Sequence, residues 1–89
     1  MIIRIEFPSL PAGRDLKVMR AELDQVLEDD GCLLASGQEG ENGFVELDLE
    51  DEKLNPKYGI LAIKNYLQQA GFPKGTTMEL NGAVVDIYN

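Results

Sequence analysis

Apolar and polar residues alternate from the first position: over residues 1–7, Ile3, Ile5 and Phe7 interleave with Ile2, Arg4 and Glu6. A period of two marks a strand with one buried face, and Pro8 and Pro11 end it. The period then changes. Over residues 14–29, Leu16, Met19, Leu23, Val26 and Leu27 recur at helical spacing, with Arg20, Glu22, Asp24 and Glu28 mostly on the opposite side. This predicts an amphipathic helix, stopped at Gly31 by a left-handed exit. Residues 32–36 are a short apolar run, too brief for a helix and read as a strand. The glycine-rich stretch 37–43 follows as a loop. Residues 44–50 form the clearest strand, with Val45, Leu47 and Leu49 alternating with Glu46, Asp48 and Glu50.

Asn55 and Pro56 supply a helix cap followed by proline at the first helical position, where its missing N–H is not needed. Ile60, Ile63, Leu67 and Ala70 mark the buried stripe of this second helix, widened by Leu61 and Tyr66. Gly71 closes the helix, Phe72 can fold back on its last turn, and Pro73 prevents continuation. Residues 76–88 place Met78 and Leu80 before Asn81-Gly82, and Val85 and Ile87 after it. Asn-Gly favours a two-residue hairpin turn, so this segment is either one bent strand or a small hairpin. The order βαββαβ, with helices that each have one apolar stripe, fits an α+β, ferredoxin-like two-layer sandwich. Its antiparallel sheet would carry both helices on one face, with an extra C-terminal hairpin strand if the last segment turns back.

A chain of 89 residues can bury only one core, so residues 1–89 are read as a single domain. Sixteen acidic residues face eight basic ones, with no histidine, giving a net charge of −8 at pH 7. Free nucleic acid is thereby excluded as the natural partner, because binding it depends on Lys and Arg displacing counterions. The same repulsion disfavours an anionic membrane. A cationic protein would be attracted, with an on-rate that falls as salt rises. Cys32 is the one cysteine, which rules out an intramolecular disulfide and suits a reducing compartment. The first residues lack the apolar core of a signal peptide and no stretch approaches a membrane span. The expected location is the cytoplasm.

In a ferredoxin-like sheet the first and third strands are central neighbours. Their outward positions should therefore bring Arg4 and Glu6 beside Glu46, Asp48 and Glu50. If Val85 and Ile87 point inward, Asp86 and Tyr88 join that face. Arg4 is expected to pair with one of the acids. The stretch 50–53 extends the negative charge but has neither the alternating ligands of a calcium loop nor a histidine, so neither a metal nor any other cofactor is assigned. Gly37, Gly40 and Gly43 have a spacing that could suggest a phosphate cradle, yet they lead into no helix and carry Glu39 and Glu41 where an anion would sit. They are read as a flexible hairpin loop able to help grip a basic partner. No catalytic residue is assigned. Cys32 has no histidine to activate it and reads as core filler, and carboxylates on an open sheet lack the apolar pocket that acid–base catalysis requires.

In its size, acidity and βαββαβ order the chain resembles the small immunity proteins of bacterial polymorphic and contact-dependent toxin systems. The resemblance rests on architecture and charge and transfers no residue role. It implies a non-catalytic inhibitor that neutralises a basic partner such as a nuclease toxin, with Glu46, Asp48 and Glu50 meeting its lysines or arginines. Two other readings stay open: a nucleic-acid mimic of the phage-inhibitor type, and a regulatory or ligand-binding module that dimerises through its sheet, where Ile2, Val84 and Tyr88 would matter most. The chain itself could be a monomer or a homodimer.

Overall fold

The computed structural model describes residues 1–28, 30–50 and 56–88. They form β1 (Ile2–Phe7), α1 (Leu16–Leu27), β2 (Gly31–Glu39), β3 (Asn42–Leu49), α2 (Pro56–Ala70), β4 (Thr77–Leu80) and β5 (Ala83–Asp86). The strands make one sheet in the order β2-β3-β1-β4-β5, antiparallel at every junction. This is the ferredoxin-like arrangement with β5 added beyond β4.

The period-two patterns become the two faces of the sheet. Ile3, Ile5 and Phe7 of β1 and Val45, Leu47 and Leu49 of β3 are buried on one side. Met19, Leu23 and Leu27 of α1, and Ile63 and Leu67 of α2, cover them, joined by Met78, Phe72 and Ile87. Each large aliphatic side chain so buried contributes about 1.5–3 kcal/mol relative to exposure. Leu61 departs from the predicted stripe. It is 51% exposed, because the α2 surface that meets the sheet is the narrower line through Ile60, Ile63, Tyr66, Leu67 and Ala70.

Chain punctuation sets the boundaries. The Asp15 carboxylate caps α1 by accepting the Val18 N–H at 2.8 Å. At the end of α2, Phe72 N–H donates to Leu67 O and Gly71 N–H to Gln68 O, both at 3.2 Å. With Gly71 at φ +86° this is a Schellman motif, and the buried Phe72 and Leu67 supply its apolar contact. Asn55, the expected cap of α2, lies outside the described residues. Residues 76–88 form the hairpin, because Asn81 and Gly82 both take positive φ, 51° and 85°, as a type I′ turn requires.

Two expectations about glycine are corrected. Helix α1 ends at Leu27 and Glu28, not Gly31, takes the positive φ of 52°. Gly31 instead opens β2, where a Cβ would lie 2.6 Å from the Asp48 carbonyl oxygen. Nor is 37–43 a flexible loop. The strands run on to Glu39 and from Asn42, leaving a two-residue turn whose first position, Gly40, has φ +62°. Gly37 and Gly43 are packing glycines inside the ladder: a Cβ would stand 2.8 Å from the Phe44 ring at Gly37 and 2.5 Å from the Phe7 ring at Gly43.

Candidate functional site

Residues directly opposite one another in an antiparallel pair project to the same side, so the register maps the uncovered face of the sheet. One row runs Ala35, Glu46, Arg4, Glu79, Val84, and the next runs Gly37, Phe44, Glu6, Thr77, Asp86. Above them Cys32 lies opposite Asp48 and Asp48 opposite Ile2, while at the other end Glu39 meets Asn42. The five strands together contain six carboxylates and one cationic side chain, Arg4, and all seven belong to this face. An open groove of about 880 Å³ crosses it, lined by Arg4, Glu6, Glu39, Phe44, Thr77 and Val84 among others.

Arg4 is the centre of the arrangement. Its Nη1 donates to Glu46 Oε1 at 2.5 Å and its Nε to Glu6 Oε1 at 2.8 Å, while the guanidinium lies 4.1 Å from the centroid of the Phe44 ring. The pKa of Arg4 is raised, chiefly by the hydrogen bond to Glu6 and further by that to Glu46. Asp48 Oδ1 accepts from the Met1 ammonium at 3.2 Å. The three aligned acids of the sequence reading therefore have distinct roles here. Glu46 is half-buried and tied to Arg4, Asp48 is tied to Met1, and Glu50 follows the end of β3 as an exposed residue whose N–H donates to Asp30 O at 2.7 Å.

The remaining candidates divide. Glu6 and Asp86 lie on the face as expected, Glu39 ends β2 at the exposed β2–β3 turn, and Glu41 is the second residue of that turn. Tyr88 does not join them. The strand ends at Asp86, Ile87 is buried, and the Tyr88 hydroxyl donates to Phe72 O beside α2. The chain end is pulled around the sheet because Gln68 Nε2 also donates to Ile87 O. Cys32 is exposed on the open side, which corrects its assignment to the core: β2 is an edge strand, and Cys32 shares its face with Asp48. Two members of the face went unassigned, Phe44 and Glu79. Both were reachable by parity, since Phe44 precedes Glu46 by two positions and Glu79 stands between the apolar Met78 and Leu80.

A second polar cluster sits on the helical layer. Arg14 Nε and Nη2 donate to the two Glu22 oxygens at 2.8 and 3.3 Å, Arg14 Nη1 to Ala70 O at 3.3 Å, and the Tyr66 hydroxyl to Glu22 Oε1 at 3.1 Å. The guanidinium holds the Glu22 carboxyl below its ordinary range. Burial, and then the Glu22 carboxylate, push the Tyr66 phenol up to about 12. Every polar atom of this cluster meets a partner, and the cluster fastens α1 to α2. Among the described residues no group of three His, Cys, Asp or Glu side chains is placed to hold a metal ion, and no helix is long and apolar enough to cross a membrane.

No family model matches the chain, and neither a curated protein nor a solved structure matches it.

Proposed function

We propose that the chain is a non-catalytic binding module that docks a cationic protein on its open sheet face, in the manner of an immunity or inhibitor protein neutralising a basic partner such as a nuclease toxin. The observation that carries this reading is the six-to-one excess of carboxylates over cationic side chains on one exposed layer. Stability alone gives no reason to collect like charges there, since neighbouring carboxylates repel. A cationic surface brought against them replaces that repulsion with attraction and steers the encounter. Arg4 is taken up by Glu6 and Glu46, which position it between them, so Glu39, Glu79 and Asp86 are carboxylates of this face that Arg4 does not engage and that an incoming lysine or arginine would meet.

The test uses the cationic protein that co-purifies with the chain from its source cell. Titration calorimetry against that protein is expected to show affinity falling steadily from low to high salt. A Glu79→Lys, Asp86→Lys double variant should bind at least about tenfold more weakly, because removing one well-placed charge contact commonly costs more than 1.4 kcal/mol. Both side chains are outside the core, so the circular dichroism of the variant should match the wild type. Equal affinity of the two forms, or binding indifferent to salt, would count against the reading. If nucleic acid competes for the same partner site, the inhibitor acts as a phosphate-backbone mimic.

A further inference from the structure

We infer that the partner docks by adding a strand to the β5 edge, as an extended segment in which lysine or arginine alternates with apolar residues. The inference rests on the cationic-partner reading and specifies the surface and the form of the segment. It begins from one hydrogen bond. Ile87 N–H donates to Thr76 O at 3.2 Å, which makes residues 76 and 87 a bonded pair. In an antiparallel ladder bonded and non-bonded pairs alternate. The Met78–Val85 and Leu80–Ala83 pairs are therefore bonded, whereas Val84 opposite Glu79 and Asp86 opposite Thr77 turn their N–H and C=O groups away from β4. The sheet ends at β5, so two donors and two acceptors line an edge with the spacing that an added strand requires.

The side chains around that edge specify its occupant. Val84 is 64% exposed on the open face and Val85 39% exposed on the helical side, so both sides offer apolar contact next to the free ladder. On the open side the neighbours are Glu79 and Asp86, and neither β4 nor β5 contains a cationic residue. An incoming strand therefore gains from lysine or arginine at positions facing the open side and from apolar residues facing the helical side. A second copy of this chain could satisfy the backbone groups, but it would bring its own Glu79 and Asp86 and a net charge of −8.

Edges are commonly blunted by lysine, proline or a bulge. The opposite edge carries one such device: β2 has a register slip between Leu33 and Ala35, which disrupts its ladder locally. Strand β5, four residues long, contains no lysine, proline or bulge.

The probe is a capped nonapeptide of alternating lysine and valine, added to the ¹⁵N-labelled protein at low salt. The Val84 and Asp86 amides should exchange with solvent about tenfold more slowly or better when the peptide is bound, the protection that one added ladder bond gives each. Val84→Pro removes an outward N–H without touching the bonds to β4 and should weaken the peptide about tenfold, near the effect of a lost hydrogen bond or two. If that variant misfolds, Val84→Lys keeps the backbone, places a cation at the edge and should weaken binding likewise. Peptide binding that perturbs Glu46 and Asp48 while leaving the Val84 and Asp86 amides unprotected would overturn edge pairing and leave the cationic-partner reading standing. Absence of peptide binding, or a dimer of the chain alone that protects β5, would also overturn it, and the salt titration of the natural partner decides separately whether the wider reading falls.

Discussion

Tyr66 shows how one side chain can report on the packing of two helices. Its hydroxyl is held by Glu22 of α1, and burial together with that carboxylate raises its pKa from 10.0 to about 12. A group whose folded pKa lies above its unfolded value stabilises the fold below the unfolded value, and the contribution disappears as pH rises through the folded one. For Tyr66 the stabilisation is complete below about pH 10 and is lost as pH climbs through about 12. Glu22 behaves oppositely, because Arg14 lowers its pKa: its share is present above the usual carboxylate range and is lost as pH falls through the lowered value. With Tyr58 and Tyr88 both replaced by phenylalanine, ultraviolet titration of the remaining phenol should have a midpoint near 12, and adding Glu22→Gln should bring it down. A midpoint of 10 before that substitution would mean that the contact between α1 and α2 is not made.

At the scale of elements, the β2–β3 hairpin turns glycine into a packing device. Gly43 faces the core, where an added methyl would meet the Phe7 ring at 2.5 Å, and Phe7 is buried with no room to retreat. Gly37 faces solvent, where the obstacle is the Phe44 ring at 2.8 Å, which can swing outward. Gly43→Ala is therefore expected to cost about 1–3 kcal/mol, as overpacking of a filled core does, and Gly37→Ala distinctly less, measured by urea unfolding. These glycines also mark where the sequence stopped being legible. The strands β1 and β3, the stripes Met19–Leu23–Leu27 and Ile63–Leu67 and the Gly71 exit could be read because each is a local pattern with a local cause, whereas Asn81-Gly82 left a bent strand and a hairpin both open. Gly31, Gly37 and Gly43 are explained by atoms of other strands, and a linear reading had only their flexibility to offer. Cys32 was misplaced for a related reason, since a short apolar run does not say which strand lies at an edge. The candidate face was legible through parity in β3 and β1. Its internal pairing was less so, because Arg4 stands between Glu6 and Glu46 only once 42 residues of chain have been folded back.

Across the whole molecule charge is segregated by layer. The strands hold six carboxylates against Arg4, whereas α2 carries Lys57 and Lys64 and no carboxylate, and α1 balances Lys17 and Arg20 against Glu22 and Asp24. Within a radius of gyration of 12.0 Å most of these separations are comparable to the screening length of about 8–10 Å at moderate salt. Raising sodium chloride from 10 to 300 mM should therefore relieve repulsion within the sheet and stabilise the free protein. A gain of ~0.5 kcal/mol would raise Tm by about 2–4 °C in a domain of this size. Calorimetry showing a fall instead would mean that the Arg4 and Arg14 ion pairs outweigh the repulsion. The same increase in salt is expected to weaken the complex with a cationic partner, so stability and affinity should move in opposite directions.

The place of β1 has a consequence for biosynthesis. Of the five strands, the one made first is the middle strand of the sheet, and its two neighbours, β3 and β4, arrive about 40 and about 75 residues later. A nascent chain that has made only β1, α1, β2 and β3 leaves the hydrogen-bonding groups of β1 bare on the side meant for β4, next to Ile3 and Ile5. A chain interrupted before Thr77 should thus be sticky, and productive folding of the sheet waits until Thr77–Leu80 can pair with β1.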